Sequence, residues 1–290
     1  MVYLEKTSDE IYIIENCLLS KFIQVTAELL PLPPTFIPVS LLMKERVVKN
    51  SPTRTLPMLK GKSNVIAGVM PIINYLLNEI DPEESDVKDI LLGRNNKERA
   101  EIQMWLSFIT CELWPILKEI NQLLYGYLEF NKEKLSGLIE EAKSKLSVVN
   151  THLNFRTFLT SKHVQLPDLM LAVFISTFYS KIMTEEVRNE LPNVTRHFKF
   201  ISRLKIFLQV LGDVSECSVQ AEPLPFISLE ERKKLEKKEE EKKKKEEKKN
   251  IKEEGKKEEK NDNILNVYQY LVEKLFELNN FNKDVIMNEI

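Results

Sequence analysis

Cysteine and histidine are the side chains of this chain best suited to attack carbon or to hold a metal, and their spacing favours neither. Cys17, Cys111 and Cys217 lie far apart, are odd in number and form no C-x-x-C pair. His152, His163 and His197 are the only histidines, and none has the spacing a zinc site requires. The thiols read as reduced cysteines of a cytosolic protein. Asp168 is more telling. It follows Leu166-Pro167 at the head of a long apolar run, where a carboxylate can accept from orphan backbone amides and meets the positive end of a helix. Pro167 suits a first helical turn. Gln165, at the partner position of that capping arrangement, is a poorer cap than Ser or Thr. In the next helix Asn193 is the expected N-cap, with Arg196, His197 and Phe198 in the first turns.

The elements that must position these residues follow from pattern. The chain has 290 residues, 43% hydrophobic and 30% charged, with a net charge of −2. Only seven glycines argue against a loop-rich β protein. No apolar segment approaches the roughly 20 residues that span a bilayer. No basic n-region precedes an apolar h-region, so a secretory leader is not expected. Residues 2–5, VYLE, read as a first strand. Glu10 to Leu30 reads as a helix, because Ile11, Ile14, Leu18, Phe22 and Val25 recur at threes and fours. Pro31, Pro33 and Pro34 stop it. TFIPVSLL reads as an edge strand, KERVVKNSPTRT as a polar stretch, and LPML and NVIAG as two short strands. VMPIINYLLNEI reads as a helix with Pro71 in its first turn.

After the linker DPEESDVKDILLGRNN, a helix is expected from about Lys97 to Leu128, with Ala100, Ile102, Trp105, Ile109, Leu113, Ile116 and Ile120 as its stripe. Another covers Lys132 to Leu153. FRTFL reads as a short strand-like piece. The run from Asp168 is apolar nearly all round and belongs at the centre of a bundle. The helix from Val194 and a turn-rich segment through Leu211 complete one helical unit over 85–215. From Leu229 the texture changes: EERKKLEKKEEEKKKKEEKKNIKEEGKKEEK has almost nothing to bury. Glu239, Glu240 and Glu241 stand four residues before Lys243, Lys244 and Lys245, pairs worth roughly 0.2–0.5 kcal/mol each, so an exposed helix to about Lys249 is expected. The glutamates cancel the positive density that phosphate binding needs, and no aromatics interleave. The run reads as a solvated spacer. Ile264, Val267, Tyr268, Leu271, Leu275 and Phe276 then restore helical periodicity.

FRTFL followed by PNVTRHF, with LLGRNNKERAEIQMWLSF upstream, resembles the glutathione-transferase-like domains of the translation machinery: those of the gamma subunit of translation elongation factor 1, of aminoacyl-tRNA synthetases and of their auxiliary proteins. The resemblance implies an α+β, mostly helical fold. Its parts would be a thioredoxin-like half over 1–82, an all-helical half over 83–215, a charged, partly helical linker over 216–262 and a terminal amphipathic helix over 263–290. It places Pro57 where the family has a cis-proline before its third strand.

The same resemblance argues against catalysis. The transferase pattern Glu-Ser-x-Ala-Ile-x-x-Tyr-Leu, whose first two residues hold the γ-glutamyl group of glutathione, falls on Gly68, Val69, Met70, Pro71, Ile72, Ile73, Asn74, Tyr75 and Leu76. The apolar anchor and the Tyr-Leu ending persist, and both charge-assisted contacts are gone. The nucleophile activator would follow the first strand, where Tyr3, Thr7 and Ser8 are the candidates. Asp168 takes a folding role. Arg196 and His197, in the place of an Arg-Trp-Phe motif, would contribute to one pairing surface, and Ile72, Tyr75 and Leu76 to the other. Arg196 has the alternative of capping a neighbouring helix end. The implied function is a non-enzymatic scaffold without cofactor or membrane, pairing with transferase-like domains of elongation-factor subunits or synthetases. A homodimer and a weak tRNA contact stay open. The rival readings are a divergent glutathione transferase and a tRNA-binding synthetase cofactor acting through the Lys-rich linker.

Overall fold

In the computed structural model the first described strand, β1 (Glu10–Ile13), is the central strand of a four-stranded sheet, with order β2-β1-β3-β4. The structure describes residues 9–30, 33–80, 86–239 and 241–242. Residues 2–5 lie outside them. The helix expected to begin at Glu10 instead begins at Leu18, and this corrects the sequence reading. Ile11 and Ile13 alternate inward, and both edges of β1 are taken: β2 (Thr35–Pro38) runs parallel to it and β3 (Met58–Lys60) antiparallel. Two ladders outweigh a helical spacing that only Ile11 carries within the strand, and Asn16 at φ 57° turns the chain before α1 (Leu18–Ala27). α1 buries Phe22, Ile23 and Val25 and makes the crossover that a parallel pair requires.

Ser40 accepts a hydrogen bond from Met43 N and starts α2 (Leu41–Val48), which takes the last two residues of the expected edge strand TFIPVSLL and the first five of the polar stretch after it, so the strand ends at Pro38. β4 (Val65–Ala67) pairs with β3, and α3 (Val69–Asn78) follows. The Leu56-Pro57 bond is cis.

α4 (Val87–Leu92) lies in the segment expected to be linker. The long helix expected over 97–128 is three pieces: α5 (Asn96–Ser107), a π-helical turn (Phe108–Leu113) and α6 (Trp114–Leu124). Pro115, in the first turn of α6, has no N–H to return to Cys111 O and its ring crowds that carbonyl, so the preceding turn widens. The stripe is otherwise as read, except that Ala100 faces outward. α7 (Lys132–His152) runs into a 3₁₀ turn (Leu153–Phe155).

α8 (Leu166–Lys181) is the centre of the helical half. Leu169 through Ile175 are all buried, and it packs on α1, α5, α6 and the later α10. α9 (Glu185–Glu190), α10 (Pro192–Ile201) and α11 (Lys205–Leu211) complete the helical half. Asn193 is inside α10 rather than its cap. Its N–H and side-chain amide bond instead to Oδ1 and O of Asn150, joining α10 to α7. FRTFL forms no strand.

Beyond α11 an extended segment is held to the helices by Ala221 N to Lys181 O, Leu224 N to Leu124 O and Ile227 N to Gly126 O. The charged run therefore starts after it, later than residue 216. Gly126, at φ 64°, is required there: a Cβ would stand 2.2 Å from Pro225 O. The chain divides into two compact units, Met1–Glu231 and Arg232–Ile290. In the second, residues 232–239 and 241–242 are helical. The rest of the expected spacer helix and the segment from Ile264 to Phe276 lie outside the described residues.

Candidate interaction surface

Asp168 organises the junction between α7, α8 and α10. Its side chain is fully buried. Oδ2 accepts from Gln165 N at 2.9 Å, closing the first turn of α8, and Oδ1 accepts from Leu159 N at 2.9 Å and from His197 Nε2 at 2.8 Å. Leu159 N is thus satisfied by a side chain and has no need of a strand partner, which explains why FRTFL folds as a looped turn. Gln165 is also buried. It accepts from Thr160 Oγ1 and donates to Ile90 O, tying the head of α8 to α4.

Arg196 serves the same turn from its outer side. Its Nη2 donates to Leu153 O at 2.8 Å and to Arg156 O at 2.7 Å. It caps the chain leaving α7, the alternative that the sequence allowed, while its side chain stays at the surface. Arg196 also lines a cleft of about 940 Å³ with Arg188, Lys199, Arg203, Glu185 and Glu216. Lys199 at 2.6 Å and Arg188 at 3.4 Å flank Glu216, and the bond from Lys199 holds the Glu216 carboxyl below its usual range.

The other expected pairing residues divide differently. Ile72 is fully buried, Leu76 is 6% exposed and His197 2% exposed. These three are core residues, which corrects their assignment to a surface. His197 is smaller than the Trp of the pattern and turns its ring inward to Asp168. Tyr75 is half-buried, its phenol pushed up by burial against an opposing hydrogen bond from Asn64. The outer face of α3 is carried by Pro71, Asn74 and Asn78. Sequence reasoning missed the most exposed aromatic of the junction, Phe155, at 94%. The available signal was FRTFL itself, in which Phe158 and Leu159 take the buried places.

At the position of the glutathione contacts, Gly68 is the N-cap of α3 with φ 98° and Val69 follows, so no side chain caps the helix. Gly68 N donates to Pro57 O at 3.1 Å. Tyr3, Thr7 and Ser8 lie outside the described residues. The segment that follows β1 ends instead in Cys17, the N-cap of α1. Among the described residues no group of three metal-ligating side chains occurs, and no helix is long and apolar enough to cross a membrane.

The comparisons agree with this geometry. The GST-like domain of elongation factor 1-gamma from Saccharomyces cerevisiae superposes with a TM-score of 0.64 at 17% identity, over 76% of this chain and 99% of that one. Elongation factor 1-gamma of Danio rerio is 32% identical over 134 residues, 46% of this chain and 30% of that protein. The chain has the glutathione-transferase-like fold, and part of its sequence is similar to elongation factor 1-gamma. The probable elongation factor 1-gamma 1 of Arabidopsis thaliana is 26% identical over 181 residues, 62% of this chain and 41% of that protein. The chain therefore spans less than half the length of these curated relatives. Poplar glutathione transferase F1 shares the fold, with a TM-score of 0.62 at 18% identity over 70% of this chain and 96% of that one. No protein-family model matches the chain.

Proposed function

We propose that this chain is a non-catalytic scaffold of the cytosolic translation machinery, pairing through its helical surface with a transferase-like domain of an elongation-factor subunit or an aminoacyl-tRNA synthetase. The observation that carries the non-catalytic part is the head of α3. A transferase needs a carboxylate or amide and a hydroxyl there to hold an ammonium and a carboxylate. Gly68-Val69 offers backbone amides alone, and the charge-assisted bonds that distinguish glutathione from water are missing. The similarity to elongation factor 1-gamma supports the translation setting. Tethering partners through paired domains raises their effective concentration without new chemistry.

Cys17 favours the rival reading of a divergent transferase, since a thiol at the first turn after β1 stands where an activating group would. Two measurements separate the readings. Calorimetric titration with glutathione to millimolar concentration is expected to show no saturable heat. Mass spectrometry of proteins co-purifying with the tagged full chain from its own cells is expected to recover elongation-factor subunits or synthetases. Saturable glutathione binding together with thiol-transfer turnover lost in Cys17→Ser would overturn the scaffold. A shift of labelled tRNA that disappears when residues 229–260 are deleted would move the function to the Lys-rich run.

A further inference from the structure

Phe155 is 94% exposed, yet it does not belong to a loose loop. The residues around it point inward: Leu153 is fully buried, Leu159 1% exposed and Phe158 7% exposed. The carbonyls on either side of it, Leu153 O and Arg156 O, are both held by Arg196. His152 Nε2 bonds Leu159 O at 2.7 Å, and Asp168 receives Leu159 N. The turn cannot rotate Phe155 into the core without breaking these bonds. A large apolar side chain held outward by a fixed backbone has already lost the freedom that binding would otherwise have to remove, which is the property of an interface anchor. Phe200, 48% exposed, extends the apolar patch on the α10 side and packs edge-on against Phe158 at 5.5 Å.

The charge around the patch indicates what it meets. Phe155 lines one cleft and Phe200 another, and together the two are lined by eight Lys or Arg residues and five Asp or Glu residues, on a chain whose net charge is −2. A second copy of the same face would oppose one net positive surface with another, which disfavours a symmetric pair. Nucleic acid would meet carboxylates such as Glu98, Glu101 and Glu216 among the cations, which interrupt the positive track a phosphate backbone follows. A folded protein with an apolar socket and an acidic rim fits both features.

We infer that Phe155 is the anchor of this surface and inserts into an apolar pocket rimmed by carboxylates on a different protein, with Arg196 as its positioning residue. The inference rests on the scaffold reading only for the claim that the chain pairs with a protein at all.

The test uses the full chain in its own cells with a photoreactive benzoyl-phenylalanine in place of Phe155, illuminated and mapped by mass spectrometry. Crosslinks to a heterologous protein at an apolar position flanked by Asp or Glu are expected. Phe155→Ser should weaken that purified partner by about thirtyfold or more, while the thermal midpoint of the chain stays unchanged. Arg156→Glu should weaken it as well, and added salt should weaken the wild type. Crosslinks to a second copy, to RNA or to nothing would overturn the inference. If translation subunits co-purify undiminished with Phe155→Ser, this inference falls and the scaffold stands. If the acidic partner lies outside translation, the scaffold's setting falls and the anchor stands.

Discussion

Replacing Asp168 by Ala should unfold a large part of this protein's stability, by an amount that can be worked from its contacts. The carboxylate accepts three hydrogen bonds, from Gln165 N, Leu159 N and His197 Nε2, and is fully buried. Alanine would leave three donors without acceptors in the interior. Each costs about 1–3 kcal/mol, and water entering the space left behind would recover part, so about 3–6 kcal/mol is expected. A domain of this kind holds roughly 5–15 kcal/mol in all. At about 2–4 °C per kcal/mol, the midpoint should fall by roughly 10–20 °C. Asp168→Asn keeps the shape and can keep Oδ1 facing Leu159 and His197, but its amide then meets Gln165 N donor to donor. The cost should be smaller, about 1–3 kcal/mol. Urea denaturation followed by circular dichroism measures both, and a cycle with His197→Ala isolates the side-chain pair. An Asp168→Ala protein within about 1 kcal/mol of wild type would refute the reasoning, because buried donors cannot be orphaned so cheaply.

Three further expectations use different probes. Arg196→Lys should lower stability by about 1 kcal/mol, read as a thermal midpoint, because an ammonium on a flexible stem is less suited than a fixed guanidinium to hold both Leu153 O and Arg156 O; an unchanged midpoint would show that water caps this turn equally well. Burial, followed by the Glu216 charge, pushes the Tyr179 phenol up to about 12 from 10.0. The neutral form is favoured in the fold, so that stability is fully present below pH 10 and is lost between about 10 and 12, by about 2–3 kcal/mol in total. Tyr179→Phe should abolish this alkaline limb and cost little at pH 7, since the hydroxyl makes at most a long contact to Glu216, whose carboxylate Lys199 already bonds; a large loss at pH 7 would contradict that. Thiol labelling of the native chain should modify the exposed Cys111 first, the half-buried Cys17 next and Cys217 last, because Cys217 is buried and burial also raises its thiol. Rapid labelling of Cys217 would show that the segment after α11 leaves the helices readily.

What the sequence revealed depended on how many residues carried each signal. α8 is apolar without a break from Leu169 to Ile175 and buried almost throughout, so its central place was legible without any coordinates. The Asp168 cap was legible for the same local reason. β1 was not. Four residues cannot distinguish a period of two from one of 3.6, and what decides its state is pairing with β2 and β3, whose residues lie about 25 and 50 positions away. Pro115 was visible in the sequence, yet its effect, a π turn instead of a break, depends on the stripe on both sides having to face α8. Of the surface, the sequence suggested Arg196 and left its target open. It misassigned His197 because its neighbour Asp168 is 29 residues away and only folding brings the two together.

A scaffold of the proposed kind would give up ligand binding at the head of α3 and keep a surface at the junction of α7, α8 and α10. The glutathione contacts that the resemblance implies would come from side chains at the head of α3, where Gly68-Val69 stands; Val69 is half-buried against the core and Gly68 keeps its backbone bond to Pro57, so the residues present there serve the fold. The junction of α7, α8 and α10 has no such freedom. Asp168 supports Leu159, Leu159 and Arg196 together fix the turn, and the turn carries Phe155, so a change at any inner member displaces the outer one. The proposed scaffold would need a rigid surface more than a reactive pocket, and the turn fixed by Asp168 and Arg196 is the part that presents the exposed aromatic. Substitutions that loosen the turn without touching Phe155, such as Arg196→Lys, should therefore weaken partner binding by a larger factor than they lower stability. Equal losses would mean that Arg196 serves the fold alone.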